Sequence, residues 1–368
     1  MKCYRLISLI FCFAFLLVSS AFAADVDAQF LTRLEALKDA KFISTPEDTH
    51  QSLYDAFDNA KKSIKVGIFS ISSKAIIQHL CDAQKRGVNV TLLEDASWQR
   101  STGKQDLVGQ LKACGVNFLT ASPGFSISHW KMFIIDDQTA FISTMNWVTR
   151  TEQMRDMGVF ITNPSIISEI LTVFNQDIDN SKNQTDITPP LTQPNLVWSP
   201  INSENKLVAL INSATKTIEI WIENMGETAI HDALKNAVAR KVKVRVLTSL
   251  CGLGMPASAH YPILKTLSDA GVDVKGEPFP ANSEIPYIHA KSMIVDEKTV
   301  FLGSENFSFN SLLKARELGI IFEDSDIEHK MHALYEKDWS HAEPVPELPP
   351  DHCTALTSLP TPVPVPVP

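Results

Sequence analysis

The sequence predicts an α/β fold of two similar halves, each built on a mixed β-sheet. Three observations lead there. The chain repeats itself, each copy alternates strand and helix patterns with β-branched runs, and one polar motif recurs at the same place in both copies.

In the repeat, Ala60-Lys-Lys-Ser-Ile-Lys-Val-Gly-Ile-Phe69 matches Ala214-Thr-Lys-Thr-Ile-Glu-Ile-Trp-Ile-Glu223 at an offset of 154. Arg86 pairs with Arg240 at the same offset, Leu111 and Gly115 with Leu267 and Gly271 at 156, and His129 with His289 at 160. A slowly growing offset is what insertions in loops produce. Each half begins with a helix (Glu47–Lys61; Glu204–Thr215) that leads to a short apolar strand (Ile64–Ile71; Ile218–Ile222). A second helix (Lys74–Arg86; Thr228–Ala239) leads to a second strand (Val88–Glu94; Val242–Leu247). A third helix (Asp106–Cys114; Tyr261–Ala270) precedes the strand Asn117–Leu119 or Asp273–Lys275. Two strands then flank a turn (Trp130–Ile135 and Ala140–Ser143; Ala290–Val295 and Val300–Gly303). A last strand (Gly158–Ile161; Gly319–Phe322) and helix (Ser165–Asn175; Ile327–Lys337) close the unit.

With 44% hydrophobic and 20% charged residues, the 368-residue chain has an ordinary globular composition, which excludes disordered and fibrous classes. Lys2 and Arg5 precede an apolar stretch, Ile7 to Val18, and then Ala21-Phe22-Ala23, the pattern of a secretory signal cleaved after Ala23. The stretch is short for a membrane span, which takes about 20 residues. The expected mature chain is secreted or periplasmic, and losing Lys2 and Arg5 takes its net charge from −9 to −11. The expected organisation is a signal over 1–23, a first half over 24–178, a polar connector over 179–200, a second half over 201–342 and a proline-rich tail over 343–368. The four exported cysteines allow three pairings; Cys81 and Cys114 fall on apolar helix faces, where buried free thiols are at least as good a reading as a bridge, while Cys353 is expected to bridge Cys251. No cysteine and histidine spacing resembles a zinc site.

The recurring motif is H-x-K-x4-D: His129, Lys131, Asp136 and again His289, Lys291, Asp296. Each copy continues, to Ser143-Thr144-Met145-Asn146 and Gly303-Ser304-Glu305-Asn306, then to the pairs Arg155-Asp156 and Arg316-Glu317. A histidine and a lysine two apart on a strand face the same side. Burying them together is costly without an acidic partner or a bound anion. If the halves pack about a pseudo-twofold axis, both sets converge on one pocket with two cations, two amides and two imidazoles, suited to a phosphodiester.

This doubled pattern resembles the signature of the phospholipase D superfamily, over Glu47 to about Trp339. The resemblance implies two α/β halves packed about a pseudo-twofold axis, with the paired motifs at their interface. It also implies phosphodiester cleavage with no metal or cofactor, through a phosphohistidine. In that scheme His129 attacks phosphorus, and His289 protonates the leaving alcohol and then activates water or another alcohol. Lys131, Lys291, Asn146 and Asn306, with the hydroxyls of Thr144 and Ser304, hold phosphate oxygens. Asp156 and Glu317 accept a hydrogen bond from the imidazoles, and Asp136 and Asp296 complete the motif by positioning strand and turn. One departure is Ser143-Thr144 where the superfamily has Gly-Ser, which adds a side chain at a point of close backbone approach.

Phospholipid is the expected substrate, met at a membrane surface. The acidic balance is wrong for a backbone-binding nucleic-acid protein, the loop Ser249–Ala257 is apolar and glycine-rich, and Trp98, Trp130, Trp147 and Phe307 lie near the motifs. His260 is a further candidate for contact with substrate. The rival expectations are a metal-independent nuclease of the same superfamily and an inactive protein that binds phosphate head groups. With both motifs in one chain, a monomer suffices to complete the site.

Overall fold

The computed structural model describes residues 29–99, 105–250, 257–276 and 285–347. The signal, Cys251, Cys353, most of the loop after Ser249 and the tail from residue 348 lie outside the described residues, as does the side chain of Trp98. The first half runs β1 (Lys41–Thr45), α1 (Gln51–Asn59), β2 (Ser63–Ile68), α2 (Lys74–Lys85), β3 (Asn89–Glu94), the short α3 (Ala96–Gln99), α4 (Gln105–Ala113), β4 (Asn117–Thr120), β5 (Lys131–Ile135), β6 (Thr139–Ser143), β7 (Met154–Ile161) and α5 (Pro164–Asn183). The second runs β8 (Leu196–Ser199), α6 (Ser203–Ser213), β9 (Thr217–Ile222), α7 (Thr228–Ala239), β10 (Lys243–Thr248), α8 (Ala257–Asp269), β11 (Asp273–Gly276), β12 (Tyr287–Ile288), β13 (Lys291–Val295), β14 (Thr299–Gly303), α9 (Phe309–Leu313), β15 (Glu317–Glu323), α10 (Ser325–His341) and β16 (Glu343–Pro344).

The expected α/β architecture is present twice. One sheet has the order β1-β7-β6-β5-β2-β3-β4, and the other β16-β11-β10-β9-β13-β14-β15-β8. Both are mixed. Strands β2, β3 and β4 are parallel, as are β9, β10 and β11, because helices cross between them, whereas the hairpins on the other side are antiparallel. Strand residues alternate between two cores. On β5, Met132 and Ile134 enter a central core shared with Ile294, Leu302 and Ile320 of the second half, while Phe133 enters an outer core under α1 and α2. Helices α5 and α10 supply Phe174 and Tyr335 to that central core, so the halves share a single apolar interior.

Matching glycines end matching helices: Gly115 after α4 and Gly271 after α8 both have φ near +90° (90° and 93°), where a side chain would be strained. The motif aspartates also have matching backbones. Asp136-Asp137 and Asp296-Glu297 all have positive φ (53°, 58°, 54° and 54°), in the tight turns that join β5 to β6 and β13 to β14.

Two readings need correction. Cys81 and Cys114 are not free thiols but a disulfide, with Cα atoms 5.5 Å apart, joining α2 to the end of α4. Apolar surroundings suit a half-cystine as well as a thiol, so composition alone misread the pair. The stretch 179–200 is not all connector: α5 runs to Asn183, and Leu196–Ser199 forms β8, an edge strand on β15. Strand β1, which pairs with β7, was not foreseen at all. Both are edge strands of four or five residues, too short to show a period. Among the described residues no helix is long and apolar enough to cross a membrane.

Candidate active site

The two halves exchange backbone pairs at the motifs. The chain just before each motif histidine lies against the arginine that opens the other half's β7 or β15. His129 N–H donates to the Arg316 carbonyl at 2.8 Å, Arg316 N–H to the Ile127 carbonyl at 2.8 Å, and His289 N–H to the Arg155 carbonyl at 3.1 Å. Strand β12 thereby joins the first half's sheet alongside β7. The acid following each arginine therefore faces the imidazole of the opposite half. His129 Nδ1 lies 2.8 Å from Glu317 Oε2, and His289 Nδ1 lies 2.7 Å from Asp156 Oδ1. With Nδ1–H donating to a carboxylate, each imidazole presents Nε2 as its remaining nitrogen.

The arginines are fixed in the same crossed way. Arg155 donates from Nε and Nη2 to Asp338 of α10 at 2.7 and 2.8 Å, and also reaches Glu47. Arg316 Nη2 donates to Asp177 of α5 at 3.1 Å and to Thr188 at 2.8 Å, with Nε 2.9 Å from Asp177. Both guanidiniums are fully buried.

Lys131 and Lys291 sit beside the imidazoles, buried, each donating to the carbonyl of its own motif histidine. Burial, reinforced by Lys291, pushes the Lys131 amine down to about 7. Burial also lowers the His129 imidazole, with Lys131 adding to it against the opposing pull of Glu317. Asn146 Nδ2 is 3.5 Å from His289 Nε2, again across the halves, and the Asn306 Oδ1 is buried with no hydrogen-bond partner among the described residues.

Several candidates are placed elsewhere. Asp136 accepts from the backbone N–H groups of Lys61, Lys62 and Ser63, and Asp296 from those of Thr215, Lys216 and Thr217. They tie hairpin to strand and touch neither imidazole. The hydroxyls of Thr144 and Ser304 have partners within their own halves. The Thr144 hydroxyl donates to Asp156 and accepts from Met157 N–H at 2.9 Å, and the Ser304 hydroxyl accepts from Leu318 N–H at 3.2 Å. Both brace the strand that carries the acid. Ser143 is accommodated, donating to the Lys131 carbonyl at 3.1 Å. In the second half a Cβ on Gly303 would lie 2.2 Å from the Glu305 carboxylate; the first half has Met145 there instead. Trp130, Trp147 and Phe307 are core residues, and His260 is buried against the Ser249 carbonyl.

Two acids at the site were not foreseen. Glu223 Oε2 is 2.8 Å from Lys291 Nζ and 3.7 Å from His289 Nε2. Burial alone would raise its carboxyl, but Lys291 and then His289 bring it down to about 2. Its only sequence signal was an acid ending an apolar strand opposite Phe69 in the repeat. Glu305 is fully buried; desolvation and the neighbouring Glu317 carboxylate push it well above the ordinary range. As for metals, among the described residues Glu219, His332 and Glu336 bring ligand atoms together, but both glutamates are already ion-paired with Arg245.

The family described as "Cardiolipin synthase, PLD-like domain" matches residues 53–178 and 207–339, most of both halves. The chain belongs to the phospholipase D superfamily. Its function is of that superfamily's phosphodiester-cleaving type. Phospholipase D Z of Dictyostelium discoideum is 24% identical over 366 residues, covering 79% of this chain and 85% of the relative. A probable cardiolipin synthase of Bacillus subtilis is 22% identical, covering 82% of this chain and 66% of the relative. Among solved structures, a phosphatidylserine synthase from Haemophilus influenzae superposes with a TM-score of 0.67 at 12% identity, covering 88% of this chain and 90% of that one. At that identity the likeness speaks for the fold alone.

Proposed function

We propose that this phospholipase D-like protein is an exported enzyme that cleaves the head-group phosphodiester of phospholipids, passing the phosphatidyl group to water or another alcohol. The observation that carries the reading is the crossed pair of dyads, His129–Glu317 and His289–Asp156, flanked by Lys131 and Lys291. His129 Nε2 attacks phosphorus, an N–P bond forms, and the P–O bond to the head-group alcohol breaks. His289 gives that alcohol its proton. In the second step His289 takes a proton from water or an acceptor alcohol, whose oxygen displaces His129 from phosphorus. Lys131 and Lys291 neutralise the non-bridging oxygens.

The assignment of His129 as nucleophile has local support. Its lowered pKa keeps a lone pair on Nε2, and the ring of Phe69 stands 4.8 Å away. The Glu223 carboxylate beside His289 Nε2 would instead repel a phosphate approaching that nitrogen. The relatives named for phospholipids favour lipid over nucleic acid, as does the acidic net charge of −9. Export is supported by the Cys81–Cys114 disulfide, which persists in oxidising compartments.

The purified protein is assayed in EDTA on phosphatidylcholine, phosphatidylethanolamine and single-stranded DNA. Head-group release from lipid is expected, and His129→Asn and His289→Asn should each abolish it. DNA cleavage without lipid turnover would establish the nuclease instead, and binding of phosphate ligands without turnover an inactive receptor.

A further inference from the structure

Where the two half-sites should be alike, they differ at one position. Phe69 and Glu223 are repeat mates at the ends of β2 and β9. Phe69 packs its ring against His129 and under Lys131 Nζ, 5.3 Å from the centroid. Glu223 puts a carboxylate against His289 and Lys291. It also accepts from the Tyr287 hydroxyl at 3.1 Å, so it is held in place. Its side chain keeps 12% of its surface exposed, so a ligand can reach the carboxylate.

The charge balance is unusual for an anion pocket. Two lysines and the protonated His289 of the proposed mechanism face three carboxylates, Glu223, Asp156 and Glu317, so the fixed charges already balance before a phosphodiester adds its own negative charge. A bound phosphodiester leaves this pocket short of positive charge, and a cation carried on the substrate itself would restore the balance.

We propose that Glu223 selects the alcohol side of the substrate: the pocket takes phosphodiesters whose leaving alcohol carries an ammonium group in preference to those of neutral polyols. This rests on the reading of His289 as the residue that protonates the leaving alcohol. Glu223 lies 3.7 Å from His289 Nε2, and so beside the oxygen that leaves. In an amino- or trimethylammonio-ethanol the nitrogen lies within roughly 4 Å of that oxygen by ordinary bond lengths. The ammonium would meet the carboxylate face to face while the phosphate engages the lysines.

The test compares phosphatidylcholine with phosphatidylglycerol in mixed micelles, and glycerophosphocholine with glycerophosphoglycerol in solution, for the wild type and Glu223→Gln. The wild type should favour choline over glycerol in both pairs. The variant should lose about tenfold or more of that preference, mainly through a higher KM for the choline ester, the scale of one charge-assisted contact. Equal kcat/KM for choline and glycerol esters in the wild type, or an equal loss on both in the variant, would overturn the proposal. If the variant does not fold, the wild-type preference alone decides. Choline preference on the soluble diesters without lipid turnover would remove the phospholipid reading and keep this one. Lipid turnover without head-group preference would do the reverse.

Discussion

At the scale of the residue, the site depends on what burial does to ionisable groups. Lys131 is wholly enclosed and its amine is pushed down to about 7 from 10.5. Anion binding needs it charged. Sulfate, whose own charge is constant over this range, should therefore inhibit turnover best below about pH 7. It should weaken by up to about tenfold per pH unit above that. Lys131→Met should flatten the dependence; a wild-type inhibition constant unchanged from pH 6 to 9 would contradict the assignment. The same shift enters stability. Between about pH 7 and 10.5 the unfolded chain holds a proton on Lys131 that the folded chain has lost, so this group's contribution to stability rises with pH across that window. The motif residues His129, Lys131, His289 and Lys291 were legible in the sequence because their spacing is local and occurs twice. Glu223 and Glu305 were not. Glu223 is a lone acid at the end of an apolar strand and Glu305 an unmarked position between Ser304 and Asn306, and only the fold shows that their neighbours are Lys291 and Glu317 rather than solvent.

At the scale of the element, strongly periodic segments were legible and edges were not. Helix α7 has the bounds expected from sequence, Thr228–Ala239. Strand β8 was hidden in a proline-bearing stretch because its partner, β15, lies more than a hundred residues away. The disulfide was also illegible: pairing depends on the approach of α2 to α4, which no spacing encodes. It closes a loop of 33 residues, worth about 3–4 kcal/mol by chain entropy. The urea midpoint of the oxidised protein should exceed that of the reduced protein by a corresponding amount. Coincident transitions would show that the bond does little.

At the scale of the whole molecule, the halves are not two modules joined by a linker. Each supplies the acid that orients the other's histidine, and each clamps the arginine next to that acid. Asp338 holds Arg155, and Asp177 holds Arg316. Sequence showed the Arg-acid pairs but not their crossing, because the partners sit on α5 and α10, which otherwise read as amphipathic packing helices. Breaking such a buried pair costs about 3–5 kcal/mol. Asp338→Asn should lower stability on that scale and destabilise both halves together. Tryptophan fluorescence and far-UV circular dichroism would then show one coincident unfolding transition in both variant and wild type. Two separated transitions in the wild type would mean that the shared core couples the halves less than the structure indicates.

In the proposed reaction two oriented histidines from different halves divide one phosphodiester cleavage, with His129 bonding to phosphorus. Rapid quench during turnover, followed by peptide mass analysis under conditions that preserve phosphoramidates, tests it most directly. A phosphoryl-containing adduct is expected on His129 in the wild type and not in His129→Asn. An adduct on His289, or rapid turnover with no adduct on either histidine, would contradict it.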